Sequence, residues 1–163
     1  MGIGALAGRR VSLRAIAEGD LGTVAAWYSE AASAAYEERS LEEVSASVGK
    51  DQGVFVIMQT DGEEPIGLLE HGCEGEWLTV AFIALAKAYR GWGYGSEAVR
   101  LVEEWAVHEG IAERFRAEVD VRNGLGLYFW LRLGYRPASA GEFDWQREDA
   151  RDKMPMVRAP DNV

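Results

Sequence analysis

Apolar and polar positions along this chain fall into short blocks whose period switches between two and about 3.6 in a regular order. Val11 to Ile16 reads as a strand. Val24, Trp27 and Tyr28 then recur at helical spacing behind Asp20, which predicts a helix with Asp20 at its N-cap. Ser40-Leu41-Glu42-Glu43 has the spacing of a capping box and predicts a second, short helix. Val54 to Met58 predicts a strand, Asp61-Gly62 a hairpin turn and Pro65 to His71 its partner. A turn at Glu74-Gly75-Glu76 leads into Trp77 to Leu85, which is apolar on both faces, as a strand buried between layers is. Ala98, Leu101, Val102, Trp105 and Ala106 return to helical spacing until Gly110 stops the run. Phe115, Ala117, Val119 and Val121 alternate with Arg116, Glu118, Asp120 and Arg122 in a half-polar strand. Leu125 to Leu133 is the last helical run, ended by Gly134, and a closing strand lies near Met154-Pro155-Met156-Val157. Residues 1 to 8 and 159 to 163 read as frayed ends. An antiparallel meander followed by strand, helix, strand, helix, strand predicts an α+β (mixed α/β) sheet with helices on both faces.

Composition narrows the class. A chain of 163 residues, 48% hydrophobic and with six Trp, is long enough for one buried core and short for two, so residues 1–163 are expected to form a single domain. It shows no secretion-signal pattern and no apolar run of bilayer length, which leads to the expectation of a cytoplasmic protein with no membrane partner. The single cysteine, Cys73, excludes an intrachain disulfide, and His71 and His108 are too few for a histidine metal cluster, so no metal is expected. A formal net charge of −10 argues against a nucleic-acid partner and is compatible with an amine as substrate.

The candidate chemistry lies in Tyr89-Arg90-Gly91-Trp92-Gly93-Tyr94-Gly95-Ser96-Glu97-Ala98-Val99, where alternating glycines join an apolar strand to a helical run. Such a loop can turn bare N–H groups inward around a phosphate while the helix adds the positive end of its dipole, and Arg90 can add a formal charge. A purely structural glycine turn has the same composition. A P-loop is disfavoured because no Lys stands in 90 to 96, and a dinucleotide fingerprint because Ser96 occupies the place of its third glycine.

Arg90-Gly91-Trp92-Gly93-Tyr94-Gly95 resembles the acetyl-CoA loop of the GCN5-related N-acetyltransferases (GNAT), which reads Gln or Arg, any, any, Gly, any, Gly or Ala. The flanking Tyr-Arg-Gly and Glu-Ala-Val look like the branch that includes acetyltransferases of ribosomal-protein N-termini. Glu118-Val119-Asp120-Val121-Arg122-Asn123, with Gly134-Tyr135 eleven and twelve residues after the Asn, is similar to the family's second CoA-contacting block. The resemblance spans nearly the whole chain, specific in the cofactor half and vague in the acceptor half.

It implies a central, mostly antiparallel twisted sheet of about six to seven strands. The fourth and fifth strands (77–85 and 114–121) splay into a V that takes acetyl-CoA. It implies direct transfer of an acetyl group to a primary amine, small or a peptide N-terminus, in a ternary complex, with homodimers frequent among members. The backbone of Ile83 and Leu85 would pair with pantetheine and a strand amide would meet the oxyanion; Arg90, Gly91, Trp92, Gly93, Tyr94, Gly95 and Ser96 would hold the diphosphate, and Asn123 would bond the pantetheine arm. Glu118 is the first candidate for the base that deprotonates the amine, with Glu70, Glu76 and Asp120 in reserve. The usual acid, a Tyr seven residues after the Asn, is replaced by Trp130, which leaves Tyr128 as a stand-in and a non-catalytic acyl-CoA-binding module as the alternative function.

Overall fold

The computed structural model describes residues 4–139, 141–142 and 152–160. In chain order its elements are β1 (Leu6–Ala7), β2 (Val11–Ala15), α1 (Leu21–Ala34), α2 (Leu41–Ser45), β3 (Gln52–Gln59), β4 (Pro65–Glu74), β5 (Trp77–Leu85), α3 (Tyr94–His108), β6 (Arg114–Asp120), α4 (Gly124–Arg132), β7 (Arg136–Pro137) and β8 (Lys153–Arg158). Among the described residues they build one 8-stranded sheet in the order β1-β2-β3-β4-β5-β6-β8-β7. Every neighbouring pair is antiparallel except β5 and β6. The expected count of six to seven strands is low because β1 and β7 are two residues each, too short to leave a period in the sequence.

Helices cover both faces. Val24 and Tyr28 of α1 and Leu41 and Val44 of α2 pack with Val54, Val56, Leu68 and Phe82 on one side. Val99, Val102 and Ala106 of α3 and Trp130 of α4 pack with Leu13, Phe55, Ile57 and Phe115 on the other. The hydrophobic stripes read from the sequence are therefore the stripes that meet the sheet.

Several local expectations change. Residues 1 to 8 are not uniformly frayed, because Leu6 and Ala7 pair with Leu13 and Ser12. Helix α1 starts straight after Asp20, which holds the N-cap position as expected, but its side chain makes no capping bond to the helix. Its carboxylate instead accepts the Ala17 N–H (2.8 Å) and grips the Arg14 guanidinium (2.7 and 2.8 Å), and that guanidinium holds the carboxyl below its ordinary range. The Ser40 capping box forms as expected, with Ser40 Oγ accepting from Glu43 N at 3.1 Å and Glu43 Oε1 from Ser40 N at 3.2 Å. Asp61-Gly62 lies in a wider loop between Gln59 and Pro65, and Gly62 is not among the glycines of positive φ that a tight primed turn needs. The alternation of β6 ends early: Asp120 is buried while Val121 is exposed.

The feature that shapes the centre of the sheet is a bulge. Glu70 pairs with Phe82 and His71 with Val80, which leaves Ala81 as an extra residue on β5. Before it, the even positions Leu78 and Val80 face the α3 side; after it, Phe82 and Ala84 face the α1 side while Ile83 and Leu85 turn to α3. The parallel ladder with β6 runs from Trp77↔Arg114 to Val80↔Ala117 and stops there, although β5 continues to Leu85 and β6 to Asp120. The two strands separate where the bulge begins.

Candidate active site

The separation of β5 from β6 opens a cleft of about 220 Å³. Its walls are Val80 to Leu85 on one side and Glu118 to Asp120 on the other, with Asn123, Phe129 and Trp130 closing it from α4 and Ala31 from α1. Ala86 donates its N–H to the Ile66 carbonyl, and bonding in an antiparallel ladder alternates along each strand. Ile83 and Leu85 therefore turn their own N–H and C=O groups away from β4 and into the opening. An extended amide-bearing chain laid in the cleft meets these groups as an added strand would.

The glycine loop lies at one end of this cleft. Gly91 (φ 83) and Gly93 (φ 86) are left-handed while Trp92 and Tyr94 are not, the alternation of an anion-binding nest. Among the described residues no acceptor takes the N–H groups from Gly91 to Ser96; the first one used in the helix is Glu97 N, bonded to Gly93 O at 3.1 Å. Gly95 packs closely, since a Cβ there would stand 3.3 Å from Phe129 Cε2 and 3.5 Å from Leu85 Cδ1. Trp92 is 66% exposed and outside the cleft wall.

Arg90 lines the cleft, with its guanidinium drawn towards α1. Its Nε donates to the Leu85 carbonyl (3.0 Å) and its terminal nitrogens pair with Glu30, at 3.0 Å for Nη1. Its charge is thus engaged by α1. The cation beside the glycines is Arg10, at the head of β2, which the sequence pattern did not single out. Its Nη1 donates to the Trp92 carbonyl at 2.7 Å and its guanidinium lies 5.1 Å from the Tyr94 ring centre. Glu97, in the first turn of α3, accepts the backbone N–H groups of Arg10 (2.7 Å) and Val11 (2.8 Å) and the Arg10 Nε (3.3 Å). Burial pushes the Glu97 carboxyl up, but these bonds outweigh it and hold it below its ordinary range.

The four candidate bases separate by environment. Glu118 is half-buried and lines the cleft; it also lines a second pocket, on the α1 side of the sheet, with Glu70, Thr79, Ala81 and Arg116. Glu70 is buried under Arg39, which donates from Nη1 at 3.0 Å and Nη2 at 2.6 Å, and accepts from Ser47 Oγ at 2.6 Å. Burial pushes its carboxyl up, yet these donors prevail and the net shift is downward. Asp120 is clamped by Arg122 (Nε and Nη2 both at 2.9 Å), which pulls it down to about 2. Glu76 stands at the far end of β5, 3.6 Å from Arg114. Of the four, Glu118 alone combines access to the opening with the lack of an ion pair among the described residues.

Asn123 caps α4, its Oδ1 accepting Gly126 N at 2.9 Å, and it lines the cleft. Trp130 lines it too, buried against Phe129 (5.1 Å) and Tyr135 (4.7 Å) in edge-on contacts. Tyr128 is turned away: it is 59% exposed, lies against Arg132 on the outer face of α4 and takes no part in the cleft wall. Two residues along a helix is a rotation of about 200°, so Trp130 and Tyr128 cannot share a face.

The loop between α1 and α2 crosses the α1 side of the opening. Tyr36 there has φ 59, unusual for a residue with a side chain, and its ring lies 4.7 Å from the Arg122 guanidinium. Tyr28 donates to the Arg39 carbonyl at 2.7 Å, so the same loop is fixed to α1 as well as to Glu70. Among the described residues no group of three or more His, Cys, Asp or Glu side chains is arranged to hold a metal, and no helix is long and apolar enough to cross a membrane.

Residues 21–135 match the family model for the acetyltransferase (GNAT) family. No curated protein matches the chain. Among solved structures it is similar to a Salmonella typhimurium acetyltransferase that modifies the N-terminal serine of ribosomal protein L7/L12, with TM-score 0.76 and 16% identity over 97% of this chain and 100% of the other. It is similar to the ribosomal-protein-S5-alanine acetyltransferase of Vibrio fischeri, with TM-score 0.69 and 18% identity over 98% of each chain. A probable GNAT-family acetyltransferase of Chromobacterium violaceum gives TM-score 0.71 and 18% identity over 94% of this chain and 83% of that one. At these identities the likeness is one of fold.

Proposed function

The chain belongs to the acetyltransferase (GNAT) family, and from that premise we propose that it moves an acetyl group from acetyl-CoA to a primary amine by direct attack within one ternary complex. The observation that carries this reading is the position of Glu118, which borders both the β5–β6 opening and the pocket on the α1 side of the sheet. A donor laid along Ile83 and Leu85 and an acceptor entering from the α1 side would meet beside this carboxylate.

Each step then falls to a group of this chain. An amine is mostly charged at neutral pH, and Glu118 takes its proton as attack proceeds. An N–H of Ile83 or Leu85 faces the thioester oxygen as negative charge builds on it. The N–H groups from Gly91 to Ser96 hold the diphosphate, and Asn123 bonds the pantetheine arm. Trp130 cannot protonate the departing sulfur, and no dedicated acid is assigned, since a thiolate is a stable enough leaving group near neutral pH. A peptide or protein N-terminus is a fitting acceptor class, because two solved structures of this fold act on ribosomal proteins; the protein works as one domain over 1–163.

The test is release of CoA thiol when the purified protein meets acetyl-CoA and a panel of amines and short peptides. Glu118→Gln should lower kcat by roughly 10²- to 10⁴-fold, the range for a positioned general base, and leave the dissociation constant for acetyl-CoA unchanged. Gly93→Glu, which puts a carboxylate into the phosphate loop, should abolish turnover by preventing donor binding. Undiminished turnover in Glu118→Gln removes that residue from the role. Binding of acetyl-CoA with no amine acetylated by the wild type turns the assignment to a non-catalytic acyl-CoA-binding module.

A further inference from the structure

We propose that Arg10 is a cation of the phosphate loop, and that it both binds the donor's diphosphate and holds the loop ready for it. The inference rests on the donor reading above and adds a residue about eighty positions away from the loop in sequence.

A guanidinium has five N–H donors in a fixed fork. In Arg10, Nε is directed to Glu97 Oε1 and Nη1 to the Trp92 carbonyl, which uses the two contacts needed to fix the plane of the group. Nη2 is left at the rim of the loop: a Cβ on Gly93 would stand 2.8 Å from it, so the nitrogen lies directly over the glycine whose left-handed turn shapes the nest. Among the described residues no acceptor is recorded for Nη2, and the neighbouring N–H groups from Gly91 to Ser96 are also open. A charged fork beside bare amides is the donor set that suits a diphosphate.

Glu97 makes the charge of Arg10 matter twice. Its carboxylate sits in the first turn of α3, held below its ordinary range and so anionic, at the end of the helix where the phosphates would lie. Arg10 screens it. Loss of Arg10 would remove an attractive charge and expose a repulsive one in the same place. Arg90, by contrast, is turned towards Glu30 and the Leu85 carbonyl, so the guanidinium that stands over Gly93 is that of Arg10.

The test measures CoA binding directly, by calorimetry at low and at high KCl, for wild type, Arg10→Gln, Arg10→Lys and, as a control of equal charge change on an exposed neighbour, Arg9→Gln. Arg10→Gln should bind CoA about ten- to a hundredfold more weakly at low salt, the worth of a hydrogen bond to a charged group. The gap should narrow at high salt, where screening already weakens the wild-type contact. Arg10→Lys should recover part of the affinity, and Arg9→Gln should stay within about twofold of wild type. Unchanged affinity in Arg10→Gln overturns the proposal. So does an equal loss at both salt concentrations with a lower melting temperature of the free protein, which marks a structural role alone. A wild type that acetylates no amine yet binds CoA sinks the transfer reading while the Arg10 comparison still decides this one; a wild type that binds no CoA sinks both.

Discussion

Replacing Arg39 with Met should destabilise the fold by about 2–4 kcal/mol near neutral pH and by much less in mild acid. Glu70 is 5% exposed and takes two bonds from Arg39 and one from Ser47. Met keeps the volume of the Arg stem but leaves the buried carboxylate with one neutral hydroxyl. Removing one partner of a buried pair costs about 3–5 kcal/mol, reduced here because the Arg39 side chain is 35% exposed and water reaches the pair.

The pH dependence separates this cause from lost packing. In the wild type the Glu70 carboxyl lies below its ordinary 4.5, so its contribution is present above pH 4.5 and fades as pH falls through the folded value. In Arg39→Met the Ser47 hydroxyl is the main group left to oppose burial, and the folded value is expected to rise above the ordinary one. The folded state then favours the protonated acid, a contribution present below pH 4.5 and lost as pH rises through the new value. The penalty must therefore grow from acid to neutral pH. Urea unfolding at the two pH values reads it directly, as a midpoint lowered by roughly 1–2 M near neutrality for a typical denaturant slope. A double variant with Glu70→Gln should regain most of the loss at neutral pH. A penalty equal at both pH values, or below about 0.5 kcal/mol at neutrality, would refute the reasoning.

Other consequences are as direct. His71 is 6% exposed, stacked on Phe55 at 4.6 Å, and burial lowers its pKa from 6.5 to about 4. The unfolded chain then takes up a proton that the folded one refuses, so stability should fall by about 3 kcal/mol as pH drops from 6.5 towards 4, and His71→Phe should lack that part of the slope in calorimetric scans. Gly91→Ala and Gly93→Ala share a left-handed backbone worth roughly 1–2 kcal/mol each, but only the second places a methyl against Arg10, at 2.8 Å from Nη2. Gly93→Ala should therefore weaken CoA binding more than Gly91→Ala at similar melting temperature; equal losses would count against the Arg10 contact.

What the sequence disclosed was local, and what it concealed was long-range. Trp77 to Leu85, the glycine loop and Ala98 to Ala106 each carry their period within a few residues, so the strand, loop and helix were legible together. Glu118 was legible as the polar phase of an alternating strand, and its neighbours at 117 and 119 do face the core. Arg10 was not, because what gives it meaning is a contact with Trp92 and Glu97 on an element that the fold brings alongside. The same holds for Arg39 and Glu70, thirty-one residues apart, and for Tyr36 against Arg122. Arg90 shows the complement: its place beside the glycines was legible and it lines the cleft, but its pairing with Glu30 on α1 was not legible. A charge in a motif specifies a position in the chain, and its partner is decided by packing.

The bulge at Ala81 ties these observations into one design. A strand without it would keep a single set of alternate side chains on the α3 side from Trp77 to Leu85, and β6 would have no reason to leave its neighbour. The extra residue exchanges the faces at the point where the ladder with β6 ends. Phe82 and Ala84 are thereby buried against α1, while Ile83 and Leu85 line the opening and present their amides to it. The separation also leaves Glu118 with no partner across from it on β5, since the ladder's last pair is Val80 with Ala117. One inserted residue thus accounts for the cleft, for the backbone groups that face it and for the freedom of the carboxylate at its edge. This is also why β5 reads as apolar on both faces: one set of its side chains packs on the α3 side and the other on the α1 side.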